Sequence, residues 1–406
     1  MEFNQIIKDK TYGEVKTLLN SAPYSLNVQE DKEMNVYMVK YGKDDIIDDI
    51  ITENDVTSKC RGIILEKDTN KVLCYSFNRK EIPTNTEEFL QNNWTNLRFE
   101  EAIDGSQVRI YYHNDVWNVT TTRCIRAGNA FWYSTKSFET LFRECYDLDY
   151  DALNQNYCYS FVIRHSENRI VAKYEDNSLV HVLTRDMTTP NYDIVECDIG
   201  VMKPPVISVE SVDALLEMVK SSTRTDIEGV FIWHGDKHFK LRFDAYNNIK
   251  RLRNNTRDLF FEYVENKIAG QVDEYKTSFS EYQYDIDYYE SILKDLVNKI
   301  HRLYMEVHVE KTRIIKIVDK SFHRHLYNLH GKYIKERIKI TKDVVTNFLL
   351  SLDAKQIMHL INIHYRRIPE VVPDVVPDVV PDAVPDVVPD VVPDVVPDVV
   401  PDVVPE

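Results

Sequence analysis

Apolar runs are short throughout this sequence, and glycine is scarce, with 10 in 406 residues. No stretch approaches the ~20 apolar residues that cross a bilayer, which excludes a spanning helix and argues against a membrane partner. The N-terminus, MEFNQIIKDK, is charged and lacks an apolar core of signal-peptide length, so a soluble intracellular protein is expected. There is no CxxC pair. Cys60, Cys74, Cys124, Cys145, Cys158 and Cys197 are spread through a large chain, so reduced thiols are expected rather than disulfides. A zinc site would need four ligands gathered from distant segments.

What is present can bury itself. The chain is 43% hydrophobic and 11% aromatic, with 25 Tyr and 16 Phe, and its length allows two or three domains. The net charge of −16 conceals a segregation. Residues 370–406 carry ten acidic side chains and no basic ones, which leaves −6 for the rest. Residues 299–342 carry 12 Lys/Arg against 4 Asp/Glu, plus five of the twelve His. Such a stretch creates a local field for polyanions despite the acidic balance. It also fits a solvated helical face, and its Tyr304, Phe322, Tyr327 and Tyr333 suit a core as well as a stacking platform.

Four regions follow from texture. Residues 1–57, with helix-like DKTYGEVKTLLNS, form an N-terminal extension. Residues 58–246 hold short β-branched and aromatic runs: CRGIIL, VLCYSF, VRIYYH, VWNVTTTR, YCYSFVI, RIVAKY, LVHVLTR, GVFIWH and HFKLRF. Helical TKSFETLFRECY and SVDALLEMVKS interrupt them, so this is an α+β domain on antiparallel sheets. Residues 247–368 read as a separate α-helical domain; Phe260 to His301 has helical periodicity with Gly270 its only glycine, and Thr341 or Ser351 is available as an N-cap further on. Residues 369–406 are a tail of VVPD units, with one AVPD and a final VVPE. Proline in every unit removes a donor and restrains its neighbour, so an extended or disordered arm of up to about 110 Å is expected. The tail is either a solvated repeat or a multivalent arm that recruits a protein partner.

RFEEAIDGSQVRIYYHNDVWNVTTTR carries the strongest signal: Asp104-Gly105-Ser106 is followed by an expected strand, Val108 to His113, then a polar turn and a second strand. Upstream stands Lys59-Cys60-Arg61-Gly62-Ile63-Ile64-Leu65, then SFNRKEIP. Downstream come Phe161, then Asn168-Arg169-Ile170-Val171, Glu228-Gly229-Val230 and Lys240-Leu241-Arg242. Each piece alone is weak. Their order over about 190 residues resembles the phage-type RNA ligases, a family of covalent nucleotidyltransferases whose motif is Lys-x-Asp-Gly-Ser. The resemblance implies a nucleotidyltransferase fold with ATP-grasp-like antiparallel sheets, followed by a helical domain that in some members concerns RNA choice. It implies ATP and Mg²⁺ as cofactors, and RNA or nucleotide as partner. It also assigns roles. Arg61 reaches phosphate, as does Arg79 or Lys80; Asp104, Gly105, Ser106 and Arg109 border the nucleotide; Glu228 helps hold the metal; Lys240 and Arg242 neutralise the α-phosphate.

The departures bear on activity. Ala102 stands where the family has the nucleophilic lysine, and no lysine lies between Lys80 and Lys136 to replace it. Arg98 and Arg109 are near, but a guanidinium stays protonated and is a poor nucleophile. Val162 stands where the family has a glutamate, and Arg242 where it has a second lysine. An engineered Lys-to-Ala change would explain position 102 and not the other two. Three functions are open: a nucleotide- or RNA-binding pseudo-enzyme, a non-catalytic interaction protein using the fold as scaffold, and an active RNA ligase with a displaced nucleophile. Low-complexity arrays suit the genomes of large DNA viruses, which encode ligase-like proteins. A viral early protein similar to those of iridoviruses is therefore expected, in host-cell cytoplasm or nucleus.

Overall fold

The computed structural model describes residues 2–41, 55–78, 83–132, 134–253, 256 and 258–365. Arg79, Lys80 and the VVPD tail lie outside them.

Two short helices open the chain, α1 (Glu2–Ile7) and α2 (Tyr12–Asn20). The second is the helix expected from its sequence, closed by a capping box between Thr11 and Glu14. Strands β1 (Asn27–Asp31) and β2 (Val36–Lys40) follow, then α3 (Asp55–Lys59), β3 (Ile63–Glu66) and β4 (Val72–Cys74). These four strands form one antiparallel sheet in sequence order. Strands β1 and β2 are therefore part of a sheet rather than an appendage: Tyr37 pairs with Leu65 across the position at which the sequence reading divides the chain.

Next come α4 (Thr86–Asn93), β5 (Leu97–Ile103), β6 (Ser106–His113), β7 (Val116–Thr121), α5 (Phe138–Cys145), β8 (Tyr157–Arg164) and β9 (Ser178–Asp186). Then α6 (Val212–Ser221), β10 (Ile227–His234), β11 (Lys237–Arg242) and α7 (Asp244–Lys250) complete the α+β part. Two further antiparallel sheets result, in the orders β11-β10-β5 and β7-β6-β8-β9. The sequence reading expects antiparallel sheets across 58–246; β3 and β4 belong to a third sheet, shared with the N-terminal strands. Helices α4, α6 and α7 cover one face of the three-stranded sheet, burying Leu90, Leu215 and Tyr246 against Val230 and Ile232. α5 covers the second four-stranded sheet through Leu141 and Phe142. The N-terminal sheet packs on that same sheet, Met38 and Ile64 meeting Tyr111 and Cys158.

RIVAKY, expected as a strand, is not one. The amides of Val171 and Ala172 donate to the Asp104 carboxylate at 3.0 and 2.8 Å, so they are withdrawn from any ladder.

Beyond residue 250 the chain is helical: α8 (Leu259–Ile268), α9 (Val272–Ser278), α10 (Gln283–Tyr304), α11 (Lys320–Glu336), α12 (Lys342–Leu349) and α13 (Ala354–Tyr365). They enclose a core of their own around Leu296, Ile300, Leu326 and Ile357. The expected helical stretch from Phe260 to His301 is broken at Gly270, which takes a φ of +71°. Thr341 caps α12 as expected. Ser351 donates back to Phe348, and it is Asp353 that accepts from Gln356 at the start of α13.

Candidate nucleotide site

The site lies between β5-β10-β11 and β6-β8, and its shape follows from strand alternation. In the three-stranded sheet Glu100 pairs with Phe231, which pairs with Lys240; Ala102 pairs with Gly229, which pairs with Arg242. Glu100, Ala102, Phe231, Trp233, His238, Lys240 and Arg242 therefore share one face, opposite the face that carries Val230 and Ile232 into the core. A cavity of about 560 Å³ opens on it, lined among others by Arg61, Glu100, Gly105, Ser106, Val162, Glu228, Phe231, Trp233 and Lys240. That volume is within the range of small-molecule pockets.

Two glycines allow the strands to come this close. Gly105 has a φ of +142°, and a Cβ there would sit 2.3 Å from the Ile163 carbonyl oxygen. Gly229 has a φ of +147°, and its Cβ would sit 2.1 Å from the Leu241 carbonyl oxygen. Neither position admits a side chain.

Glu228 is the electrostatic centre. One carboxylate oxygen accepts from Lys240 Nζ at 2.8 Å and the other from Arg242 Nε at 2.9 Å. Burial pushes the Glu228 carboxyl up, but Lys240, Lys250 and Arg242 around it hold it well below the usual carboxylate range. Burial conversely pushes the Lys250 amine down. No group of three or more His, Cys, Asp or Glu suited to a metal occurs among the described residues. As it stands, Glu228 is directed at two cations, so a divalent ion there would compete with both.

The residues picked out by sequence fall into three sets. Arg61, Gly105, Ser106, Glu228 and Lys240 line the cavity; Ser106 accepts from Asn168 Nδ2 at 2.8 Å. The Arg61 backbone amide donates to the Lys59 carbonyl, while its guanidinium makes no hydrogen bond or ion pair among the described residues; burial pushes that guanidinium down, against the opposing pull of Tyr41 and Glu228. Asp104 and Arg109 are fully buried and do not line it. Asp104 accepts from Tyr246 Oη at 2.7 Å as well as from the two amides above, tying the turn to α7 and to residues 171–172. Arg109 donates to the carbonyls of Gly62 at 2.7 Å and Thr121 at 2.5 Å, fastening the turn that carries Arg61. Ala102 and Arg242 form the last set, on the cavity face of the sheet but outside the lining; Ala102 is a buried methyl.

Sequence reasoning passes over Glu100, Phe231, Trp233 and His238. Trp233 Nε1 donates to Glu100 at 2.8 Å, and the His238 ring stacks on Phe231 at 5.0 Å. The alternation in GVFIWH was signal enough, since it puts Phe231 and Trp233 on the side of Gly229.

No family model matches the chain. An immediate-early protein ICP-46 homolog of Invertebrate iridescent virus 6 is 25% identical over 341 residues, 74% of this chain and 71% of that protein. A protein of Autographa californica nuclear polyhedrosis virus, named as a bifunctional polynucleotide kinase/RNA ligase, is 31% identical over 163 residues. That match takes in 34% of this chain and 23% of the relative. An RNA ligase of Rhodothermus phage RM378 is 28% identical over 166 residues, 32% of this chain and 37% of the ligase. The chain thus spans well under half the length of either ligase relative. Among solved structures, a Naegleria gruberi RNA ligase variant is 14% identical with a TM-score of 0.33, covering 44% of this chain and 58% of that one. The chain is similar to iridovirus ICP-46 homologs along about three quarters of its length, and to viral RNA ligases over about a third of it.

Proposed function

We propose that this is a degenerate RNA-ligase-like protein that binds nucleotide or RNA in the cavity and forms no lysyl adenylate. The observation that carries the reading is Arg61. A half-buried guanidinium on a cavity wall, with no direct hydrogen bond or ion pair among the described residues, is costly unless an anion completes it. Ser106 and Lys240 border the same space. At position 102 a buried methyl stands where the resembling family has its nucleophile, and phosphoramidate formation needs an amine within roughly 3–3.5 Å of the phosphorus.

Incubation with radiolabelled ATP or GTP and Mg²⁺, followed by a denaturing gel, is expected to give no labelled protein. Ala102→Lys alone is expected to restore little, since Val162 still lacks the family's carboxylate. Fluorescence anisotropy is expected to report weak to moderate binding that falls with salt, more steeply for RNA than for a mononucleotide. Arg61→Ala should lower that affinity about tenfold while leaving the fold intact, as loss of one charged contact does. A lysine-linked AMP would restore the active-ligase reading.

A second reading has its own support. Lys240 and Arg242 are already bridged by Glu228, so their presence does not by itself call for a bound polyanion. If the chain binds neither ATP nor RNA at low salt, the fold serves as an interaction scaffold.

A further inference from the structure

Away from the cavity, the helical region presents a face that is both greasy and basic. α10 runs into a π-helical turn, Met305–Val309, then a loop, then α11. Along this path Val309, Ile314, Ile317, Tyr327 and Ile334 are all more than half exposed, Ile317 reaching 74%. The turn and α11 adjoin: His308 stacks on His330 at 4.2 Å and meets Tyr327 at 6.1 Å. Exposed Lys311, Lys316, Lys320 and Lys335 have no ion-pair partner among the described residues. A patch of this kind marks a binding surface.

We propose that it is covered by the chain's own acidic arm, residues 371–406. All but one of the four-residue units offer two valines, and all but the last offer an aspartate (the last a glutamate), which answers both halves of the face: branched aliphatics against isoleucines, carboxylates against lysines. A nucleic acid would satisfy the lysines and leave Val309, Ile314, Ile317 and Ile334 in water. The spacing also suits. A unit advances about 12 Å in extended polyproline geometry, and Lys320, Tyr327 and Ile334 recur every seven residues on α11, about 10.5 Å apart. Reach is ample. The described chain ends at Tyr365, which lies near Asp295 of α10. From Asp295 to the turn is about 20 Å along the helix, against up to about 110 Å for the arm. Tethering supplies an effective concentration in the millimolar range, enough for weak units to compete with free ligands.

The test is zero-length carboxylate–amine cross-linking of the full-length protein, mixed with an isotopically heavy copy and read by mass spectrometry. Cross-links from tail aspartates to Lys311, Lys316, Lys320 and Lys335 should exceed those to exposed Lys8, Lys71 and Lys220 by roughly fivefold, the order expected of a tethered ligand. They should join light to light and heavy to heavy. Replacing Ile314, Ile317 and Ile334 by Ser leaves every lysine in place and should erase the preference. Even scatter, mixed-isotope cross-links, or an unchanged pattern in the Ser variant would each overturn the proposal. So would equal binding of a single-stranded oligonucleotide or an anionic phospholipid vesicle to this face in the intact chain and in one with tail Asp→Asn.

Discussion

Glu228 has two competing uses, and its surroundings decide between them. The motif it resembles aims a carboxylate at a metal; here the carboxylate, 10% exposed, is divided between Lys240 and Arg242. Replacing it by Gln removes the negative charge and leaves the cations facing each other. Allowing for their partial exposure, Glu228→Gln should cost roughly 2 kcal/mol at pH 7. The sign with pH follows from the depressed folded pKa. The unfolded carboxyl titrates near about 4.3, so the stabilisation is complete above that and is lost as pH falls towards the lower folded value. Urea denaturation at pH 7 and pH 3.5 should therefore find wild type and variant separated at the first and converging at the second. An equal gap at both would mean that the two charges contribute nothing through Glu228. None of this was legible in sequence, where Glu228, Lys240 and Arg242 could be assigned only to ligands. The pairing depends on the register of β10 and β11, which sets Arg242 opposite Gly229, the neighbour of Glu228.

At the level of elements, Asp104 holds more than a turn. Two backbone amides and the Tyr246 hydroxyl converge on its buried carboxylate, and its own carbonyl accepts from Tyr174 Oη at 2.6 Å. Asp104→Ala strands those donors in the core and should cost about 3 kcal/mol or more, visible as a lower urea midpoint with little change in m-value. If the midpoint is unchanged, the network is not what fixes residues 170–174. The same contact explains why RIVAKY misled: its β-branched pattern is real, yet a long-range carboxylate takes its amides. β5 escaped notice for the converse reason. Its LRFEEAI carries Glu100 and Glu101 on opposite faces, and partners brought up by the fold, Trp233 beside Glu100 (which also pairs with Arg98) and Arg224 beside Glu101, make each tolerable. Elements with local signals were readable, as α2, α5, α6 and α12 are, each opened by the Ser or Thr side chain that caps it. The order of cavity-lining motifs was readable for the same reason: alternation and turn chemistry are local, whereas the burial of Asp104 and Arg109 is not.

On the scale of the whole molecule, the question is what couples the sheets to the helices. Arg169 comes from the Asn-Arg-Ile-Val segment, for which sequence suggested only family likeness. Its guanidinium donates to the carbonyl of Val171 at 3.0 Å on its own side and to that of Ser278 at 2.8 Å across the junction, and it pairs with Glu281. It lies 4.6 Å from the Phe279 ring centroid, and Arg253, in the buried pair with Glu262, lies 4.9 Å from that same centroid. Phe279 is fully buried, so one aromatic ring joins a cation of the α+β part to a cation at the root of the helical part. Removing Arg169 leaves each core intact and takes away contacts that span them. Arg169→Ala should lower stability by roughly 2 kcal/mol, but its signature is loss of cooperativity. Calorimetry should resolve two transitions where wild type gives one, the helical part melting first because its core rests on fewer long-range pairings. Arg169→Lys keeps the charge without the planar fork, and should fall between the two. A single coincident transition in Arg169→Ala, merely shifted, would place the coupling elsewhere.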